Sequence, residues 1–301
     1  MPDTTTALPK LTRRPAEPSV TVLPPRSRSR YGARVQLLLA LAVAIVLVML
    51  AIAPGLVVQR DPTAIALGAT LQPPSAEHWL GTDQLGRDML SRVVYGARIS
   101  LFVALCAVTL AGVLGALIGV TAGYLGGVFD AIAMRVVDIQ LALPAVILAL
   151  VLVGAVGPSL FNLIIVLSLA NWARFARVTR SEALTLRTRD FVLLSRLAGA
   201  SRIRIILSHI APNVVNTFIV LATLDVGIII ILEATLSFLG LGVPPPQPSW
   251  GSMIADGRQY LETAWWICGI PGLMLMVTVL SANLLGDALR DWLSPTASRN
   301  W

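Results

Sequence analysis

The chain has 301 residues, of which 56% are hydrophobic and only 13% are charged, and its mean hydropathy is +0.78. A soluble domain needs more polar surface, so this composition excludes one and predicts a bilayer as the main solvent. Its net charge of +7 suits anionic lipid headgroups, and no basic patch interleaved with aromatic residues indicates nucleic acid.

Six hydrophobic runs are long enough to cross a membrane as helices. Each crossing needs about 20 mostly apolar residues, because lipid offers backbone N–H and C=O groups no partner. We therefore expect an all-α, polytopic membrane protein. The six predicted spans are Val35–Val57, Ile99–Tyr124, Ile139–Val156, Leu160–Arg174, Val214–Phe238 and Ala264–Leu289.

Basic residues predict the orientation, since Lys and Arg accumulate in short cytoplasmic loops. Seven of them lie in residues 1–34 and seven more in residues 175–213. We expect both segments and the tail 296–301 to face the cytoplasm, so that both termini are cytoplasmic and residues 58–98 are extracytoplasmic. Residues 1–34 are poor in apolar side chains, and we expect them to be disordered.

Two features of the predicted spans concern helix shape and packing. In the second span, Gly115, Gly119 and Gly123 recur every four residues. This spacing lets helices approach closely in lipid, so we interpret it as a packing face, with a flexible gate as the alternative. Pro144 in the third span predicts a kink.

Residues suited to metal, disulfide or nucleotide chemistry are few. Cys106 and Cys268 fall in predicted spans, which favours inert packing over a disulfide. His78 and His209 lie on opposite sides in the predicted topology. The only lysine, Lys10, is followed by leucine, so the chain has no G-x-x-x-x-G-K-[ST] phosphate loop. We expect no catalysis, cofactor or metal site in this chain.

The predicted fifth span carries two carboxylates, Asp225 and Glu233. Because a bare carboxylate is costly in hydrocarbon, both should face protein, water or a partner charge. Asp225 is the deeper one and is the candidate for lining a translocation path, where it would meet a cationic amino group. Neutralisation by an arginine of a partner subunit is the alternative. Glu233 is interpreted as a structural pair or as part of the same path.

Two polar segments are predicted on the outer side. Asp83, Arg87 and Asp88 fall in "GTDQLGRDMLSR", where local charge pairing explains most of the pattern. Trp250 follows four prolines in "GVPPPQPSWGSMI", a stiff extended stretch that precedes an expected interfacial helix. A rigid external cap and a gate are the two interpretations of this second segment.

The segment from Arg189 to Asn213 predicts two short amphipathic helices. Apolar residues recur mostly at three- and four-residue steps, with arginines between them. Ala198, Gly199 and Ala200 permit a sharp corner, and Pro212 is suited to begin the next span. One interpretation is an interfacial helix whose arginines reach lipid phosphates; the other is a docking element for a second protein.

The stretch "GASRIRIILSHIAP" from Gly199 resembles the EAA loop of ABC-importer permeases. Leu193, Leu194 and Ser195 stand where the general motif has Glu-Ala-Ala. The resemblance implies a coupling helix that docks on an ATP-hydrolysing subunit. Its implied residues are Arg196, Leu197, Ala198, Gly199, Ala200, Ser201, Arg202 and Pro212.

Three further stretches narrow the resemblance. "HWLGTDQLGRDMLSRVVYGARISL", "EATLSFLGLGVPPPQPSWGSMI" and "NLLGDALRDWLSP" are similar to the C-type permease of dipeptide, oligopeptide and nickel importers. The similarity implies a type I ABC importer permease fold, with a five-helix core over residues 99–295. It also implies that Asp83, Arg87 and Asp88 lie near the mouth that faces a substrate-binding protein, for which the segment with Trp250 is a candidate gate or seat.

The resemblance implies one half of a pore for di- or oligopeptides in a bacterial cytoplasmic membrane. The implied partners are a second permease, two subunits that bind ATP and Mg²⁺, and an extracytoplasmic binding protein. A nickel-chelate importer is the alternative cargo assignment. An ion-coupled secondary transporter is the less favoured alternative, because it would leave the coupling loop unexplained.

Overall fold

The computed structural model describes residues 30–293, and side chains from Val35 onward. Over these residues the chain forms α-helices and no β-strand; one isolated bridge pairs Thr82 with Asp88. The predicted tail 296–301 and residues 1–29 of the predicted disordered tail lie outside this range. The helices are α1 (Arg30–Ile52), α2 (Met89–Leu125), α3 (Gly127–Ala142), α4 (Ala145–Val156), α5 (Leu160–Arg187), α6 (Asp190–Leu197), α7 (Arg202–Ile205), α8 (Ala211–Phe238), α9 (Trp250–Gly257) and α10 (Trp266–Leu293).

The predicted membrane-spanning helices are present. Helices α1, α2, α5 and α10 are each long and apolar enough to cross a bilayer, and so is the continuous helical stretch 202–238 that contains α8. Helices α3 and α4 together supply a sixth candidate. The all-α prediction is therefore confirmed for the described residues.

Several predicted segments differ from the structure in extent. Helix α2 begins at Met89 rather than at Ile99, and residues 30–34 of the predicted disordered tail belong to α1. Instead of one helix over residues 139–156, α3 and α4 meet at Pro144 with a bend of 94°. Proline has no N–H to continue the ladder, so the predicted kink is a complete break. Helix α5 continues to Arg187 rather than ending at Arg174, since its arginines pair with α3: Arg177 with Asp138 and Arg180 with Asp130.

Helices α2 and α5 form the tightest contact of the fold through the predicted glycine face. A Cβ on Gly115 would lie 2.4 Å from the carbonyl oxygen of Trp172, and one on Gly119 would lie 2.2 Å from Thr179 Oγ1. Gly123 faces the backbone of Arg180 in the same way, at 2.7 Å. These distances leave room only for hydrogen, so the packing interpretation is confirmed.

Two polar structures lie at opposite ends of α2, whose 37 residues span about 55 Å at 1.5 Å per residue. The capping layer comprises residues 53–88 and 239–265 and covers the beginning of α2. The Gly199 hairpin comprises residues 190–205 and lies at the end of α2. A π turn, Ile206–Ile210, joins the hairpin to α8; it loosens the helix just before Pro212, whose ring would crowd the carbonyl four residues earlier.

Candidate functional site

The Gly199 hairpin has the corner that the sequence predicts. Gly199 has φ +81°, a value that glycine adopts without a Cβ penalty. Its N–H donates to the carbonyl of Arg196, and the N–H of Ala200 donates to that of Ser195, both at 3.0 Å. This pair of bonds is a Schellman motif, which ends α6. Ser201 begins α7 by accepting a hydrogen bond from the N–H of Arg204 at 3.3 Å.

The hairpin packs on the helix ends with only a few apolar residues. Val192 and Ile205 are buried against Val120, Tyr124 and neighbouring residues. The rest of its apolar surface faces outward: Leu194 is 64% exposed, Ile203 70% and Leu197 84%. An exposed apolar patch on both sides of a rigid corner is typical of a protein-docking surface.

Two arginines turn back from this region toward α2. The guanidinium of Arg196 lies over the Tyr124 ring, 5.8 Å from its centroid. Arg187 Nη1 donates to the carbonyl oxygen of Tyr124 at 3.4 Å. That carbonyl belongs to the last turn of α2, where a helix lacks internal donors and favours positive charge.

Asp225 lies halfway along α8 and is fully buried. Its Oδ1 accepts a hydrogen bond from Nη1 of Arg174 at 2.7 Å, and its Oδ2 has no partner among the described residues. The Arg174 side chain is 44% exposed. The neutralising arginine therefore comes from the same chain, and the exposed half of the pair is the cation rather than the carboxylate.

Glu233 is also fully buried, two turns further along α8. Its Oε1 accepts a hydrogen bond from the Ser237 hydroxyl at 2.8 Å. The hydroxyls of Ser100 and Ser249 face the same carboxyl. These contacts join α8 to α2 and to the start of α9. They correspond to the structural interpretation of Glu233, one of the two that the sequence allows.

Asp83 organises the charges of the capping layer. Its Oδ2 accepts a hydrogen bond from Arg87 Nε at 2.6 Å, and Oδ1 accepts from the N–H of Leu85 and the N–H of Arg87. Arg92 Nε lies 3.4 Å from Oδ2, and Arg92 Nη1 has no hydrogen-bond partner among the described residues. All three charged side chains are buried.

Asp88 begins α2 as its N-cap, accepting hydrogen bonds from the N–H and hydroxyl of Ser91 at 2.9 Å. Its other oxygen lies 2.9 Å from His78 Nδ1 and 3.8 Å from Arg60 Nη1. Burial acts to raise the pKa of the Asp88 carboxyl, but the bonds from His78 and Ser91 outweigh it and hold that pKa below its ordinary value of 3.8.

Trp250 anchors α9 to α2 and is fully buried. Its indole Nε1 donates to the carbonyl of Val93 at 3.0 Å, and its backbone N–H donates to Ser100 Oγ at 3.2 Å. Gly96 provides the space, because a Cβ there would lie 3.2 Å from the indole. The tryptophan is thus part of the packing between the capping layer and α2.

A cavity of about 620 Å³ opens beside these residues and is lined by Arg87, Arg92, Asp256 and Arg258, together with Gly240 and residues 242–247. Asp256 lies 4.0 Å from Arg87 and 3.8 Å from Arg92. The sequence prediction includes Arg87 but lacks Asp256 and Arg258, because residues more than 160 positions apart along the chain carry no local signal of their proximity.

The comparisons with known proteins identify the family. Residues 115–299 match the model of the binding-protein-dependent transport system inner membrane component. The chain belongs to this family. This inner membrane component is therefore a multi-pass subunit of a transport system.

Two relatives of this component illustrate the similarity. The probable D,D-dipeptide transport system permease protein DdpC of Escherichia coli (strain K12) is 44% identical over 79% of this chain and 80% of its own length. The nickel transport system permease protein NikC of the same strain is 46% identical over 78% of this chain and 85% of its own length. Both belong to the group that the sequence motifs predict.

A solved structure supports the fold alone. The methionine ABC transporter MetNI, in an inward-facing conformation, matches with a TM-score of 0.56 and 18% identity over 68% of this chain and 98% of the matched chain. The type I importer permease fold is therefore confirmed. The functional assignments of the individual site residues stay predictions.

Proposed function

We propose that this component forms one half of the pore of a bacterial ABC importer for di- or oligopeptides. The observation that carries the proposal is the Gly199 hairpin, a rigid corner flanked by Leu197 and Ile203, which the chain itself leaves exposed. Its relatives include permeases named for dipeptide and nickel transport. Because an apolar patch exposed to water is unfavourable, its presence here indicates that another protein covers it.

The proposed orientation places the hairpin in the cytoplasm and the capping layer outside, as the arginine distribution predicts. A homologous permease completes the pore, and two partner subunits bind ATP and Mg²⁺. Closure of the ATPase pair would displace the hairpin together with α8, because α7, the π turn and α8 form one continuous helical stretch. ATP hydrolysis is carried out by the partner subunits and not by this chain.

The translocation path is proposed to involve Arg174 with Asp225 behind it. Each of them lies fourteen residues after the first residue of its helix, about 21 Å along it, which keeps the pair within the predicted fourth and fifth spans. A half-exposed guanidinium at this depth is too costly to face lipid, so it faces water in the pore or the second permease. We propose that it attracts the carboxylate end of a passing peptide.

The cavity of the capping layer is proposed to receive the peptide from the binding protein. Its volume falls within the range that suits small ligands. Three guanidinium groups and one carboxylate line it. This combination complements a zwitterionic peptide, because the guanidinium groups can bind the peptide carboxylate and the carboxylate can bind the peptide amino group. Asp83, Arg87, Asp88 and Trp250 would then act as the supports of this site.

The test of coupling substitutes Gly199 by valine in the complete transporter. At φ +81° a β-branched residue strains the corner. We expect normal membrane insertion but loss of copurifying ATP-binding subunits and of labelled dipeptide uptake.

Gly157→Val is the matched control, because Gly157 has φ +84° and is likewise free of neighbours within 4 Å, but lies between α4 and α5. Uptake that survives Gly199→Val at normal expression would show that the docking assignment is wrong. Loss of assembly in both variants would point to general misfolding rather than to coupling.

Nickel chelate is the second candidate cargo, favoured by the identity to the nickel permease. Uptake of labelled dipeptide and of labelled nickel by the same reconstituted complex separates the two. Dipeptide uptake that excess nickel does not reduce supports the peptide proposal, and the reverse pattern contradicts it.

A further inference from the structure

A second polar cavity, of about 540 Å³, lies where the Gly199 hairpin meets the end of α2. Its lining includes three arginines, Arg187, Arg196 and Arg202, together with Tyr124 and Leu125. No Asp or Glu is among the described residues that line it. Three guanidinium groups around one space repel one another unless an anion lies between them, so the cavity is complementary to a phosphate group.

An apolar groove lies next to this cavity, between α2 and the start of α8. Val113, Leu117 and Val120 form one wall, and Leu207, Val215 and Phe218 form the other. Its accessible lining is almost entirely apolar, and its volume is about 270 Å³. An apolar groove of this volume fits an acyl chain rather than a polar ligand.

The two spaces are contiguous along the chain. Val120 lines the groove and Tyr124, one turn later on α2, lines the arginine cavity; Ile206 lines the groove and Ile205 lines the cavity. Tyr124 thus separates apolar from basic surface, which is the position that aromatic residues take at a membrane interface. The π turn Ile206–Ile210 forms part of the groove wall, and such turns frequently accompany binding sites.

We propose that this composite site binds one anionic phospholipid, with its phosphate among Arg187, Arg196 and Arg202 and an acyl chain between α2 and α8. Basic pockets between spanning helices are the established way in which proteins select anionic headgroups. The lipid would connect the end of α2 to both sides of the Gly199 corner and so stiffen the hairpin. This lipid site depends on the membrane location of the chain and not on which cargo the transporter carries.

The side chains around the cavity are held in place by this chain's own contacts. Arg196 stacks on Tyr124 and Arg187 donates to the Tyr124 carbonyl, so both guanidinium groups are ordered before a ligand arrives. Preorganisation of this kind reduces the entropy cost of binding. Arg202 is exposed at the opposite side of the cavity and would complete the contact with the phosphate.

The headgroup is tested by the double variant R187Q/R202Q in the assembled complex, reconstituted into vesicles of phosphatidylcholine with added phosphatidylglycerol. A photoreactive residue at position 207 reports the bound lipid as a mass adduct. In the parent protein we expect more adducts with phosphatidylglycerol than with phosphatidylcholine. In the double variant we expect the apparent affinity for phosphatidylglycerol to fall roughly tenfold or more. R189Q, at an exposed arginine beyond the cavity lining, is the matched control and should leave the affinity unchanged.

The acyl groove is tested by Ala116→Phe, which fills it without altering any charge. We expect loss of the lipid adduct, with unchanged binding of inorganic phosphate as measured by calorimetry. R187K, which keeps the charge, should retain most binding and guards against a variant that fails to fold. Three outcomes would each overturn the proposal. The first is equal labelling of both lipids, and the second is an adduct with a partner polypeptide instead of a lipid. The third is a parent protein that binds inorganic phosphate but forms no lipid adduct.

Discussion

The capping layer and the Gly199 hairpin are both polar segments between membrane helices, yet their contacts are opposite in kind. In the capping layer, Asp83 and Arg87 are buried and paired, and Trp250 is fully enclosed. In the hairpin, Leu197 is 84% exposed and Arg202 lies at the surface. One segment is completed by its own chain, and the other presents surface to a partner.

The difference shows how one chain can combine a fixed end with a docking end. Buried, paired charges are destabilising when a partner is removed, so such a cluster holds a single arrangement. Exposed apolar residues contribute little to the isolated fold but contribute strongly once a second protein covers them. Substitutions in the two regions should therefore separate stability from assembly.

The largest loss of stability is expected for Trp250→Ala. Removing the buried indole leaves a cavity and removes its hydrogen bond to the Val93 carbonyl, with a cost of about 3–5 kcal/mol in the free energy of unfolding. Thermal or SDS denaturation of the purified chain in detergent measures it. Trp79→Ala in the same layer is the control, because Trp79 is 72% exposed. Equal losses for the two tryptophans would show that the burial of Trp250 does not stabilise the capping layer.

An intermediate effect is expected for Asp88→Asn. Asparagine keeps the N-cap but loses the charge, so at pH 7 we expect a loss of about 0.5–1 kcal/mol. Because the pKa of Asp88 is lowered in the folded chain, its contribution is present above the unfolded pKa near 3.9 and disappears as the pH falls through the folded value.

Unfolding of the parent chain and of Asp88→Asn across this pH range tests that expectation. The same comparison in a His78→Gln background removes the titratable side chain that contacts the carboxyl. A stability difference that grows below pH 4 would be inconsistent with the lowered pKa.

The smallest effect on stability is expected for Leu197→Ser. The side chain is already exposed, so the free energy of unfolding of the isolated chain should change by less than about 0.5 kcal/mol. Association with the ATP-binding subunits, measured by copurification, should nevertheless fall. Leu56→Ser, at an equally exposed leucine of the capping layer, should alter neither quantity. An unstable Leu197→Ser chain would mean that the hairpin is held by its own apolar contacts after all.

Much of this architecture follows from local patterns in the amino-acid sequence. Long apolar runs predict the spanning helices because the bilayer leaves the backbone no other partners. The glycines at four-residue spacing predict the α2–α5 contact, and Gly199 predicts the hairpin corner, since each depends on the absence of a side chain at that position. Pro144 marks the break between α3 and α4, although its 94° size depends on packing.

Contacts between distant residues came only from the folded chain. Asp225 is visible in the sequence as an intramembrane carboxylate, but its partner Arg174 lies 51 residues away, and composition does not indicate which helices will be neighbours. The sequence also marks the apolar residues of the hairpin without separating buried Val192 from exposed Leu194. Backbone conformation responds to near neighbours along the chain, whereas charge pairing and burial depend on which surfaces packing brings together.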